Sequence, residues 1–318
     1  MATTAFPINP KLTAIAMVYS NPAQALIADA VLPRTPVAKK FAWSNYDVGQ
    51  GYTIPQTLVG RKSVPTEVDF SGTLVNDEVR DYALDDVVPN DEQQAWQDMI
   101  KPERGGPISP IEISTMLTTK LIQLDREVRV ASRVFNPVNY IAANQITLSG
   151  TGQWSDYANS NPLFAIMAAL DVPVYRPNTV ALGQATFTAL RMHPRVVQAV
   201  YGTAQTGGVV TREALAQLLE VQQVLVGAGF VNTARRGQPV NNQRVWGKHA
   251  ALLYIDKEAA LSKQPCWGFT AQWGDKTAGT IAEPKMGLRG SERVRVGESL
   301  KEVISAPALG YYFQNAVA

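Results

Sequence analysis

The sequence predicts an α+β fold on three observations: one long amphipathic helix, strand-like alternation near both ends, and a middle third that interleaves short strands with short helices. Residues 1–36 predict an arm. Asn21 and Pro22 form an N-cap and first-turn pair ahead of a short helix over Ala23–Val31, which Pro33 and Pro36 stop; the rest reads as extended. From Val37 to Tyr46 the chain alternates, with Phe41 and Trp43 on one face and Lys40 and Ala42 on the other, as in a half-buried strand. Gly49, Gly51 and Gly60 break the next stretch, and Val68, Phe70, Gly72 and Leu74 then alternate with polar residues. Two strands around a long polar connection make a hairpin, and an isolated hairpin needs another surface to lie on.

The best-specified element runs from Pro110 to Phe135. Ser109 caps it, Pro110 suits the first turn, and Glu112 completes a capping box. Ile113, Leu117, Leu121, Leu124, Val128, Ala131 and Phe135 recur every three or four residues as one apolar stripe, with Lys120, Asp125, Arg126 and Arg129 elsewhere. After a polar loop, Asn161-Pro162 starts a helix to Leu170. Strands are expected at Val172–Tyr175 and Thr179–Leu182, then helical segments over Gln184–Tyr201 interrupted at Pro194. Thr211 caps Arg212–Glu220, and Val221–Val226 reads as a strand. Arg244–Ile255 carries the apolar run of a buried strand, and Ser291–Ile304 and Gly310–Ala316 read as closing strands.

Composition narrows the function classes. With 318 residues the chain has length for about two cores of roughly 100–200 residues each. Apolar residues make up 46% and charged ones 18%, which excludes a disordered polymer, and 29 basic against 27 acidic residues leave +2, which advertises neither nucleic acid nor a cationic partner. One cysteine, Cys266, cannot staple the chain. Pro7, Pro10 and Lys11 interrupt any signal-peptide core, and the longest apolar run, Ala250–Ile255, is far below the roughly 18 residues of a membrane span. The expectation is a soluble protein of the cell interior, so poor in charge that other copies cover part of its surface.

No chemistry stands out. Cysteine and histidine do not cluster as zinc ligands, no G-x-S-x-G elbow occurs, and His193 and His249 read as structural imidazoles. Gly202–Gly208 has a glycine where a phosphate loop needs lysine, and Gly227-Ala228-Gly229 lacks a third glycine. Asp85, Asp86, Asp91 and Glu92 read as a strand end leading into a helix N-terminus. Arg235-Arg236, and Arg289, Arg293 and Arg295, read as solvated or intersubunit cations, while Trp246, Trp267, Phe269 and Trp273 read as core of the second half. No catalytic residue, metal or cofactor is expected.

In order, the elements resemble the major capsid protein of tailed bacteriophages, with the Hong Kong 97-type fold. "NPAQALIADAVLPRTPVAKKFAW" resembles the N-terminal arm, "VDFSGTLVNDEVRDYALDDVVPNDE" the return strand of the extended loop, and the helix after "GPISPIEIS" the spine helix. "RPNTVALGQATFTALRMHPRVVQAVYG" is similar to the opening of the axial domain, and "SERVRVGESLKEVISAPALGYYFQNAVA" to the strands returning to the peripheral domain. The resemblance implies an arm at 1–36, an extended loop at 37–75, a peripheral domain at 76–174, an axial domain at 175–285 and return strands at 286–318. It implies a non-enzymatic subunit of hexamers and pentamers around double-stranded DNA. Its further partners would be a separate scaffolding protein, a portal and decoration proteins, with non-specific DNA contact and no membrane. Phe41, Trp43, Lys62, Arg235 and Arg236 are the candidate intersubunit contacts; some relatives cross-link through a lysine in the region of Lys62. A cytosolic α+β enzyme with a dispersed site, and a tail or decoration protein, are the alternatives.

Overall fold

The computed structural model describes residues 7–19, 26–45, 52–68, 73–99, 108–202, 207–235, 237–256 and 265–318. The Asn21-Pro22 pair, Gly49, Gly51, Phe70, Gly72 and Arg236 lie outside the described residues. The first described stretch of the arm is not extended. Asn9 accepts from the Lys11 and Leu12 amides to cap a helix, α1 (Pro10–Val18), so the same cap-plus-proline signal read at Asn21 also operates twelve residues earlier. Leu12 and Ala16 of α1 are buried with Ile122, Ala278, Val294 and Val296 of the same chain. The short helix α2 (Ala28–Val31) places Ala28 and Val31 in another core, and β1 (Arg34–Pro36) follows. Burial of these arm segments by other subunits is therefore not needed: their apolar faces find partners distant in sequence.

The hairpin follows as β2 (Lys40–Asn45) and β3 (Thr73–Glu78), and the chain continues through β4 (Arg80–Pro89) into helix α3 (Asn90–Met99), which has Asp91 and Glu92 in its first turn. The long helix α4 spans Pro110–Val134 with the expected capping box. Next come β5 (Gln145–Thr147), α5 (Pro162–Leu170), β6 (Thr179–Gly183), α6 (Gln184–Met192), α7 (Pro194–Tyr201), α8 (Arg212–Leu219) and β7 (Gln223–Gly227). A small hairpin, β8 (Phe230–Asn232) with β9 (Asn242–Arg244), precedes β10 (Ala250–Leu253), β11 (Gly268–Gln272), β12 (Thr277–Glu283), β13 (Ser291–Ile304) and β14 (Gly310–Gln314).

Two five-stranded sheets organise these elements. The first is built on β13, whose alternating burial leaves Val294, Val296 and Leu300 inside. β4 pairs along one edge, from Ser291 opposite Pro89 to Leu300 opposite Arg80. β11 and β12 pair antiparallel with β13 as well: Gln272 faces Leu300 and Thr277 faces Gly297, so Trp273–Lys276 bulges between them. β1 adds parallel to β11. The second sheet runs β5-β14-β10-β6-β7. All residues of β6 and β10 are buried, because Val180, Leu182, Ala250 and Leu252 pack with α5–α8 while Ala181, Ala251 and Leu253 pack on the opposite face with Trp246 and α4. Coverage on both faces explains the unbroken apolar run at 250–255.

Several expectations change at this level. Gly310–Ala316 was expected to return with Ser291–Ile304, but β14 pairs with β10 and β5 in the second sheet. Residues 268–283, expected in the 175–285 core, form β11 and β12 of the first sheet. Alternation reveals a strand but not its partner. Val172–Tyr175 is a series of bends around Pro173, which has no amide to donate, and the Arg244–Ile255 strand shrinks to β10 after a turn at 245–248. Trp273 is exposed in the bulge with the Lys39 ammonium 5.4 Å from its ring, not in a core.

The main correction concerns α4. Ile113, Leu117 and Leu121 are 43%, 54% and 55% exposed, whereas Ser114, Thr115, Thr118 and Thr119 are buried. Thr115 and Thr119 donate to the carbonyls of Ile111 and Thr115, and Ser114 donates to Asp86 at 2.7 Å, so small hydroxyl residues bring the helix close to the sheet without losing hydrogen bonds. The expected stripe is buried only towards its C-terminal end, where Leu124 and Val128 are half-buried, Ala131 is buried and Phe135 packs at 5.3 Å from Trp246.

Arg126, expected off the apolar stripe, and its neighbour Glu127 are both buried. Arg126 donates to Asp29 at 2.5 Å, to Thr270 Oγ1 at 3.1 Å and to the Leu32 carbonyl at 3.3 Å. Glu127 accepts from the amides of Ile27 and Ala28 at 2.8 and 2.9 Å and from Trp246 Nε1 at 2.5 Å. Burial pushes the Glu127 carboxyl up, against those donors and Arg126, while burial's upward push on Asp29 is outweighed by Arg126 and Arg34, which hold it below the usual range. Replacing Glu127 by Ala strands three donors, and denaturant unfolding is expected to show a loss of about 3–5 kcal/mol. Leu117→Ser, on the exposed face of the same helix, is expected to stay within about 0.5 kcal/mol of the parent in the unassembled subunit.

Candidate assembly surface

The β2–β3 hairpin projects from a fixed base. Val79 is buried, its amide donates to the Lys39 carbonyl, and Lys301 of β13 pairs with Asp77 at 3.1 Å. Register sets Lys40 opposite Glu78, Phe41 opposite Asp77 and Trp43 opposite Val75. Phe41 and Trp43 share a half-buried face, as their alternation predicts, and Ala42 and Lys40 are exposed. The return strand is described over Thr73–Glu78, and Phe70 and Gly72 of the expected alternation lie outside the described residues.

Beyond the hairpin, residues 52–68 are exposed throughout and form no strand. They nevertheless carry large apolar side chains: Ile54 is 92% exposed, Val64 90% and Leu58 83%. The two limbs touch where Thr66 Oγ1 donates to the Gln56 carbonyl, and the Ser63 amide closes a turn onto the Gly60 carbonyl, with Lys62 exposed in that turn. At its start, Tyr52 meets Tyr175 edge-on at 6.4 Å. A segment so rich in exposed aliphatics gains by transfer to an apolar surface about 25 cal/mol for each Å² covered.

Such a surface lies on α4. Ile113, Leu117 and Leu121 follow at four-residue spacing on one open face. Sequence periodicity found this stripe but does not name its partner, since an apolar face is equally suited to a core or to another chain. Arg235, the other candidate contact, is exposed in the loop of the β8–β9 hairpin, where its carbonyl accepts from the Gln238 amide. It is not brought near Phe41, Trp43 and Lys62 by any described contact. Arg293 and Arg295, read as solvated or intersubunit cations, instead grip Asp85 of β4 within the chain, Arg295 with two contacts of 2.7 Å. Among the described residues no group of three His, Cys, Asp or Glu side chains is placed to hold a metal, and no helix is long and apolar enough to cross a membrane.

Two sheets wedged on a long helix, with a projecting hairpin and an open apolar helix face, define a shell subunit of the Hong Kong 97-type capsid fold. A phage-related protein from Bordetella bronchiseptica RB50 superposes with a TM-score of 0.74 at 21% identity, over 98% of both chains. The capsid protein of Cyanophage P-SCSP1u shares the fold at a TM-score of 0.56 and 8% identity, over 93% of this chain and 90% of that one. No protein-family model matches the sequence. The chain is 48% identical, along the whole of both sequences, to the major capsid protein of Pseudomonas phage JBD67. It belongs to the phage major capsid proteins.

The distribution of burial predicts where an unassembled subunit is vulnerable. Limited proteolysis is expected to cut first within 52–68 and to spare α1, which is docked on β12 through the Asn9 amide and Thr13. Cleavage of α1 at the same rate as the loop would contradict the intrachain burial of the arm.

Proposed function

We propose that the protein builds an icosahedral phage head from hexamers and pentamers of itself around double-stranded DNA, and that it performs no catalysis. The observation that carries this reading is the pairing, in one chain, of an exposed aliphatic loop with an exposed aliphatic helix face. In a ring of identical subunits each loop lies on the next subunit's helix, a heterologous contact that closes only by rotation. Phe41 and Trp43 stiffen the hairpin that delivers the loop, and Lys62 rides near its tip. A net charge of +2 suits a container wall, since dense cationic clusters would hold packaged DNA in a salt-dependent grip.

In this reading the first sheet with α4 is the peripheral part, and the second sheet with α5–α8 reaches towards the capsomer axis. Assembly takes place in the host cytoplasm with a separate scaffolding protein, a portal and decoration proteins. Leu117→Asp with Leu121→Asp is the decisive variant: circular dichroism is expected to match the parent while electron microscopy finds no shells. Normal shells would remove the helix face from the interface. The β8–β9 loop is tested in the same way, with Arg235→Glu and Arg236→Glu expected to lower the yield of rings through altered charge near an axis.

A further inference from the structure

His193 and His249 are the only histidines in the chain, they lie on opposite sides of the second sheet's core, and both use Nδ1 as an acceptor. His193, fully buried at the α6–α7 junction, caps α7 by accepting the Arg195 amide at 3.2 Å. Its Nε2 lies 3.1 Å from Ser160 Oγ, and that hydroxyl donates its own hydrogen to the Asp156 carbonyl at 2.7 Å. The ring proton therefore sits on Nε2, pointing at Ser160, and Nδ1 carries the lone pair. His249, just before β10, accepts the Asn315 amide at 3.0 Å. Asn315 follows β14 in a left-handed conformation, φ 54°, and the chain then buries Ala316 and Val317 and bonds back through the Ala316 carbonyl to the Trp154 amide.

We infer that the two histidines form an acid-sensitive latch on the second sheet: a proton gained at Nδ1 turns each acceptor into a donor facing a backbone N–H, releasing the α7 N-terminus and the turn after β14 while the first sheet stays closed. Among the described residues, no carboxylate in contact with either ring offsets that added charge. His193 faces the edge of Tyr157 at 5.4 Å and the Arg195 cation; the carboxylate of Asp156 is engaged by Ala158 and Asn159. Of the elements packed nearby, α5 has no charged side chain, and Arg191 of α6 and Arg212 of α8 lie over Phe187, with Glu213 exposed. His249 faces the rings of Phe135 at 5.2 Å and Tyr312 at 5.8 Å; burial pushes the Tyr312 phenol up to about 12, so it stays neutral. The charged residues at the ends of these elements, Arg133 and Lys248, are exposed cations. Burial pulls both imidazoles below their ordinary value, and Arg195 adds to this at His193.

The sign follows. Each histidine binds a proton more readily when its segment is open, so the segment's stability is intact above about pH 6.5 and falls as the pH drops through the lowered folded value. At about pH 5.5 an open imidazole is favoured up to about tenfold over its state at neutral pH. Glu127, whose carboxyl is raised, contributes the opposite slope, so a global melting curve mixes the two and a local readout is needed. Amide hydrogen exchange of the full chain, read by mass spectrometry at about pH 7.5 and about pH 5.5 and corrected for intrinsic rates, is that readout. Exchange at 194–201 and 310–318 is expected to rise in acid, by up to about tenfold, with 291–300 unchanged. His193→Asn with His249→Asn keeps an acceptor at both caps without a titrating ring, and is expected to abolish the rise. An equal rise in the variant, or no rise in the parent protein, overturns the latch, and the second outcome is decided without any variant.

Discussion

Two neighbouring charges on one helix hold the subunit together. Residues 126 and 127 of α4 project about 100° apart, so Arg126 reaches the first sheet through Thr270 while Glu127 reaches the second through Trp246. Between them they fasten the segment from Ile27 to Arg34, because Arg126 holds Asp29 and the Leu32 carbonyl while Glu127 takes the amides of Ile27 and Ala28. Arg34 extends the same network to Glu298 of β13 at 2.9 Å. A buried ion adds little net stability when satisfied and costs several kcal/mol when one partner is lost, about 3–5 in measured cases, so these contacts enforce a single arrangement more than they add to the total. The helix is thereby a shared wall between two sheets rather than a rod lying on one.

The parts of this architecture written in local chemistry were legible in the sequence. Ser109 with Glu112, Asn161 with Pro162, Pro194, and Thr211 each marked a helix start that the structure has. The same rule applied to Asn9-Pro10 would have found α1. Strand partners were not legible, because period-two alternation is a property of one strand and pairing is a property of two. β14 therefore changed sheets although its strand was foreseen, and β12 was not foreseen as a strand. Arg126 and Glu127 escaped for a related reason: a charge is read as solvent-facing until its partners, here about a hundred residues away in sequence, are known.

The buried face of α4 shows why counting apolar residues does not locate the face that meets the sheet. Serine and threonine can return their hydroxyls to the helix's own carbonyls, so Thr115 and Thr119 behave as small buried residues and permit a close approach to β4 and β13. The bulkier Ile113, Leu117 and Leu121 are then free to face outward. Both choices suit the proposed assembly: the fold is completed with small hydroxylated residues, and the aliphatic area stays open. Of the proposed contacts, Phe41 and Trp43 were visible in the hairpin's alternation and Lys62 only through the family resemblance, whereas the helix face was visible only as a stripe.

A chain that leaves apolar faces open must keep its sheet edges closed, or strand pairing would compete with the intended contacts. β12 is covered by α1, whose Asn9 amide and Thr13 hydroxyl both donate to the Ala278 carbonyl while the Ala278 amide donates back to Thr13. β1 is only three residues long and ends in Pro36, which has no amide to offer. β4, at ten residues the longest strand outside the sheet's centre, carries Arg80, Asp81, Asp85 and Asp86 and ends at Pro89. Asp85 and Asp81 are engaged by Arg295 and Ser299 of β13, so the charges guard the edge and also fix its register. With main-chain pairing restrained at the edges of the first sheet, the association proposed for α4 and the 52–68 loop would rest on side chains, where geometry, rather than the indiscriminate adhesion of a free strand, decides which copies meet.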